Sequence, residues 1–229
     1  MAAAARPELR LRLVSAAVGM PALFLVLWAG GPWFVGVASA AAVFALREAL
    51  DLLRRARTLR GGGPVLRDGA FALAGAAYVV LPFAALISLR LGDAGLQWTT
   101  LAFLATFATD TSAYIVGRLA GRRRMAPAIS PGKTWEGAVG GLLGAVAASV
   151  ALVALLEGVE SRLLPAVALG IGVGVASQAG DLLESWLKRN AGVKDSGALI
   201  PGHGGLLDRL DSLLPVFVVV YAAAQVWPT

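Results

Sequence analysis

The residues best able to do chemistry lie between Ser185 and Asp211: Ser185, Lys188, Arg189, Lys194, Asp195, His203, Gly204, Gly205, Asp208, Arg209 and Asp211. They set cations, carboxylates, one histidine and paired glycines between two apolar runs. Charges at the edge of an apolar segment are costly and are kept where they are used. This mixture suits the holding of phosphate groups together with a divalent cation.

Gln178, Asp181, Ser185 and Lys188 step by three or four, so they form one polar stripe on a helix, with Glu184 beside it. Asp208 and Asp211 are three apart on the next helix, and both can face Asp181. Hard oxygen ligands from two helix ends, near cations, suit Mg²⁺ bridged to substrate phosphates. Softer metals fit poorly with one histidine and no cysteine, so His203 is read as a phosphate contact. His203-Gly204-Gly205 offers backbone that a ligand can approach closely.

Two further clusters lie upstream. Asp110, Tyr114 and Gly117 share a helix face; an aspartate there needs a bundle interior, a wet cavity or a partner such as Arg118. Ser130-Pro131-Gly132-Lys133-Thr134-Trp135-Glu136-Gly137 contains Gly-Lys-Thr, but Pro127 stands where a Walker A loop needs glycine. What remains is a proline-set turn opening a helix, with Lys133 as a cation for phosphate and Ser130 as a phosphate contact or N-cap.

The elements that position these groups are apolar helices. The chain is 58% hydrophobic and 15% charged, with mean hydropathy +0.74; a soluble domain is about half apolar and a quarter charged. Runs of about 18 apolar residues can cross a bilayer. Seven are read, at 11–29, 32–50, 69–90, 97–117, 135–156, 163–184 and 208–227. The expected fold is an all-α, polytopic transmembrane bundle of about seven spans. The first run is read as a span rather than a signal peptide. With the N-terminus in the cytoplasm, all basic residues except Arg90 and Arg162 fall on the cytoplasmic side. That places the three clusters at the cytoplasmic face. Two regions are expected: 1–95, helices with a basic loop, and 96–229, the catalytic part. Read from residue types alone, the chain is a membrane enzyme acting on a phosphorylated substrate.

The pattern Ser-x-x-Lys-Arg, four residues, Lys-Asp, then His-Gly-Gly-x-x-Asp-Arg-x-Asp resembles the phosphatidate cytidylyltransferase (CDP-diacylglycerol synthase) family, and every fixed position from Ser185 to Asp211 falls on it. The Asp110–Gly117 segment, Ser130–Gly137 and Gln178-x-Gly180-Asp181-x-x-Glu184-Ser185 resemble the family's upstream blocks. The resemblance is close over about 105–215; the N-terminal half matches only in type and is shorter than in many members. It implies that CTP and phosphatidic acid give CDP-diacylglycerol and pyrophosphate. It implies that Asp181 and Asp208 hold Mg²⁺, with Asp211 close by, and that a second, monovalent cation such as K⁺ sits in the site. Lys188, Arg189, Lys194 and Arg209 would contact phosphates, with Ser130 and Lys133 completing the pocket. Ser185, His203, Gly204 and Gly205 would also meet substrate, and Asp110, Tyr114, Glu136, Gln178, Glu184 and Asp195 would support them. Acyl chains would enter laterally from membrane lipid. A homodimer is an expectation of the likeness alone; no nucleic acid is expected. The expected place is the bacterial inner (plasma) membrane.

The nearest rival is a CTP-dependent lipid kinase, or a cytidylyltransferase for another lipid phosphate. A transporter would instead set carboxylates near the midplane of two related halves; here they gather at one face.

Overall fold

A computed structural model describes residues 17, 19, 21–59, 61, 65–160, 162–199 and 204–227. Among these the chain is mostly helical. Residues 21–29 form α1; then follow α2 (Gly31–Leu59), α3 (Val65–Leu91) and α4 (Gly95–Ala120). A hairpin, β1 (Arg124–Ala126) and β2 (Ser130–Thr134), precedes α5 (Trp135–Leu155), α6 (Leu163–Asn190), the short α7 (Leu207–Leu210) and α8 (Leu213–Val226).

Among the described residues, four helical segments are long and apolar enough to cross a membrane: Gly31–Leu59, Leu73–Leu91, Trp135–Leu155 and Leu163–Asn190. The others expected as spans differ for physical reasons. α4 carries Asp110 and Arg118, and its first half is buried against protein, with Thr99, Thr106 and Thr109 inside. Each of these hydroxyls donates to the carbonyl four residues back, so α4 can be less apolar than a lipid-facing helix. The expected run at 208–227 is broken around Asp211–Ser212, and α8 has 14 residues, short of the roughly 20 that span a bilayer. Of the run at 11–29, residues 11–16, 18 and 20 lie outside the described residues.

The hairpin corrects the all-α expectation. β1 and β2 pair antiparallel, Arg124 opposite Thr134 and Ala126 opposite Ser130. α5 opens at Trp135, where the run read at 135–156 begins, and Ser130 is not its cap. Thr134 is its N-cap, its Oγ1 accepting from Gly137 N at 3.1 Å. Glu136 Oε2 accepts from Arg122 N (3.0 Å) and Arg123 N (3.2 Å), fastening the start of the hairpin to the helix.

α5 lies between α4 and α6 on a stripe of small residues. A Cβ on Gly140 would stand 2.6 Å from Val116, and one on Gly137 2.9 Å from the Ala113 carbonyl. On the other face, Gly174 meets Leu142 and Ala145. In apolar surroundings helices gain from such close backbone approach rather than from hydrophobic burial. At the opposite end of the bundle, Arg90 Nε and Nη2 donate to Leu27 O at 2.9 and 2.8 Å. Gly30, at φ +61°, makes the turn there, and a side chain on it would collide with that guanidinium.

Gly140→Leu should lower the thermal midpoint in detergent, because overpacking costs about 1–3 kcal/mol. Gly36→Ala, which meets nothing within 4 Å, should not. Equal midpoints for Gly140→Leu and the parent would contradict the packing described.

Candidate functional site

α2 and α6 have 29 and 28 residues, longer than the roughly 20 that cross a bilayer. Their polar last turns therefore emerge from the apolar layer, and the site is built where α6 emerges.

Lys188 on α6 is its centre. Its Nζ lies 2.5 Å from Glu184 Oε2, one turn back, and 2.6 Å from Asp208 Oδ1 on α7. The Glu184 side chain is 0% exposed. A buried carboxylate is tolerated only with a counter-charge, so Lys188 cannot leave without cost. Asp208 Oδ2 accepts from Ser196 N (2.8 Å), Ser196 Oγ (2.9 Å) and Gly205 N (2.8 Å). Burial works to raise the Asp208 carboxyl, but Lys188 Nζ and the N–H groups of Gly205 and Ser196 hold it below the usual carboxylate range. Asp208 therefore stays ionised at neutral pH.

A second ion pair joins the hairpin to the same helix face. Lys133 Nζ on β2 lies 2.6 Å from Asp181 Oδ2, and Ser185 Oγ donates to Asp181 Oδ1 at 3.3 Å. Arg189 Nε donates to Ile129 O at 3.2 Å, seating the hairpin turn on the end of α6. Gly180 backs directly onto the Asp211 carbonyl and the Pro215 ring, which brings Asp211 beside Asp181. Asp211 Oδ1 accepts from Ser212 N at 2.7 Å.

The structure thus gathers Lys133, Asp181, Glu184, Ser185, Lys188, Asp208, Asp211 and Gly205. Gly204 adjoins them at φ +82°, where a Cβ would stand 2.8 Å from Asp208 Oδ2. Asp110 borders the cluster, within electrostatic reach of Asp181, Lys133 and Asp211, while other expected residues stand apart. Tyr114 is exposed and accepts from Arg118 at 2.8 Å. Asp110 accepts from Ser177 Oγ at 3.3 Å, not from an arginine. Gln178 ties α6 to α5 through Ala138 O at 3.2 Å. Glu136 serves the hairpin, Ser130 sits at its turn end opposite Ala126, and Lys194 and Asp195 are exposed. His203 lies outside the described residues.

One residue went unread in the sequence. Glu48 on α2 accepts from Leu206 N (3.1 Å), Leu207 N (2.8 Å) and Ser196 Oγ (3.1 Å). Its only signal was a carboxylate near the end of the second apolar run.

No three His, Asp or Glu side chains among the described residues converge as a ready cation cage. Both oxygens of Asp208 are engaged by donors, and so are both of Asp181. Asp181, Asp208 and Asp211 are the carboxylates that could hold Mg²⁺, which commonly uses one or two carboxylates and takes its other ligands from water and phosphate.

Beside the cluster lies a cavity of about 450 Å³ between α1, α2, α3, α4 and α8. Phe34, Val37, Ala41, Phe83, Phe103 and Phe217 line it, and α7 closes one end. Arg209 is the charged residue among the described ones in its wall.

Residues 59–227 match the model of the cytidylyltransferase family. The chain is similar to a phosphatidate cytidylyltransferase of Brucella abortus, 44% identical over 137 residues, 59% of this chain and 50% of that protein. It is also similar to one of Staphylococcus saprophyticus, 43% identical over 147 residues, 64% of this chain and 55% of that protein. The chain spans about half the length of these curated relatives. Since the family match runs from the end of α2 through α8 and takes in both lysine–carboxylate clusters, the chain belongs to the cytidylyltransferase family.

Proposed function

We propose that this chain joins CTP to phosphatidic acid, giving CDP-diacylglycerol and pyrophosphate, as an integral protein of the bacterial inner membrane. The observation that carries the reading is the pair of lysine–carboxylate clusters, the half-buried Lys133–Asp181 and the enclosed Glu184–Lys188–Asp208, where α6 leaves the apolar layer. The names of the similar proteins point to the same reaction.

The phosphate monoester of phosphatidic acid loses its second proton near pH 6, by analogy with other phosphate monoesters. Its oxygen can attack the α-phosphorus of CTP without a strong base. A new P–O bond forms, the bond from the α-phosphorus to the bridging oxygen breaks, and pyrophosphate leaves with that electron pair. The barrier comes from bringing anions together. Lys133 and Lys188 lie where phosphate oxygens can share their ammonium groups, and their fixed partners hold those charges in place before substrate arrives. Asp181 and Asp208, with Asp211 close by, would hold Mg²⁺, which would neutralise phosphate charge. Nothing among the described residues marks a separate place for K⁺, and no step depends on it.

In this reading the run at 11–29 and α4 join the four apolar helices as crossings, and α8, too short alone, makes the seventh together with α7 and the Asp211–Ser212 turn, with the N-terminus and the site on the cytoplasmic side. The hairpin, α7 and the ends of α2 and α6 then share one membrane face, the face to which the charge rule assigns the basic residues. The apolar cavity takes one acyl chain, with Arg209 at the headgroup end, where a guanidinium suits a phosphate. A homodimer is carried by the family likeness alone.

The purified chain with CTP, Mg²⁺ and phosphatidic acid should release pyrophosphate in step with CDP-diacylglycerol. Release of CDP with a newly phosphorylated lipid would replace the reading with a kinase. Ala41→Phe should raise the KM for long-chain phosphatidic acid about tenfold, the loss of roughly two buried methylenes at about 0.8 kcal/mol each. It should leave a dihexanoyl substrate unaffected; an equal effect on both would remove the chain from this cavity.

A further inference from the structure

Glu48 precedes the region matched by the family, which begins at residue 59, yet it reaches 158 residues along the chain to Leu206. Three successive N–H groups are divided between two carboxylates there. Gly205 N donates to Asp208, and Leu206 N and Leu207 N donate to Glu48. Ser196 Oγ lies within reach of both, 3.1 Å from Glu48 Oε2 and 2.9 Å from Asp208 Oδ2. A serine hydroxyl has one proton to give, so the two carboxylates are coupled through it.

The surrounding sequence makes room for this contact. A Cβ on Gly197 would stand 2.6 Å from Glu48 Oε1, and its three nearest neighbours would all be Glu48 atoms. A Cβ on Gly205 would stand 2.6 Å from Glu48 Oε2 and collide with Ser196 Oγ. Leu207 is 0% exposed, so water cannot take over its N–H if the carboxylate is lost, and a buried donor without a partner is costly. The turn would move instead, carrying Asp208 and its hold on Lys188 with it.

We infer that Glu48 is a positioning residue for the transfer: its carboxylate fixes the turn before α7 so that Asp208 meets Lys188. Glu48 touches neither lysine and acts through Asp208. Its kinetic consequence rests on the proposed cytidylyl transfer; the structural tie does not.

The test uses the full chain in detergent with Glu48→Ala, Gly197→Ala and the double variant. Glu48→Ala should lower kcat about ten- to a hundredfold, the scale of an ångström-sized displacement of a reacting group, with the KM for CTP little changed. Gly197→Ala alone should also lower kcat, because it pushes the carboxylate away. In the Glu48→Ala background it should add nothing, since the atoms it meets are gone. Hydrogen exchange of peptides spanning 204–210 should quicken in Glu48→Ala while α5 is unchanged. Parental kcat, a loss in KM alone, or a full additional effect of Gly197→Ala would overturn the inference. Unchanged exchange would overturn the tie whatever the reaction. Faster exchange in a chain that transfers no cytidylyl group would keep Glu48 as the anchor of the turn and sink its catalytic consequence with the reaction. If Glu48→Ala fails to fold, Glu48→Gln, which keeps the size and one acceptor, should show a smaller kcat loss of the same kind.

Discussion

The ammonium of Lys188 lies between a carboxylate with no access to solvent, Glu184, and one that organises a turn, Asp208. The placement of the other groups follows from that bridge. Glu184 cannot stay charged inside the bundle without Lys188, and so it holds the lysine to its own helix. Asp208 cannot accept from Lys188, Ser196 and Gly205 together unless Ser196 and Gly205 are both brought to the end of α6. Removing one member would leave a buried charge uncompensated, which is far costlier than replacing all of them with apolar groups. Energetically, the arrangement makes the site rigid before any substrate contact is considered.

Around this bridge the fold supplies two supports of different kinds. The glycine face of α5 lets α4 and α6 approach closely through backbone packing, which sets the direction of α6. The hairpin is held by polar contacts at the surface: Glu136 to the backbone of Arg122 and Arg123, Arg189 to Ile129 O, and Lys133 to Asp181. A helix bundle alone would leave Lys133 at a helix start, with no fixed direction. The two-stranded turn aims it at α6.

Much of this was legible in the residues. The spacing of Asp181, Ser185 and Lys188 gave one helix face, and Ser185 does reach Asp181. The pairing of cations with carboxylates was legible too, though not which carboxylate each would take. Asp208 and Asp211 were expected to turn together toward Asp181; instead Asp208 is taken up by Lys188 and the turn, and Asp211 lies beside Asp181. The hairpin was missed because strands of three and five residues carry no periodicity. Ser130 was weighed as an N-cap, whereas Thr134, next to the apolar run, makes the bond. α4 read as an ordinary span, although half of it is buried against protein. Glu48 was invisible because its partners are backbone N–H groups more than 150 positions away, and no local pattern encodes such a contact.

The most direct test of the central bridge is a double-mutant cycle on turnover with Lys188→Met, Asp208→Asn and both together. If the two groups act as one unit, each single change should cost nearly as much kcat as the pair, as happens for residues that operate together. Losses that multiply would mean that Lys188 and Asp208 serve the reaction independently, and the bridge would not be the organising interaction of the site.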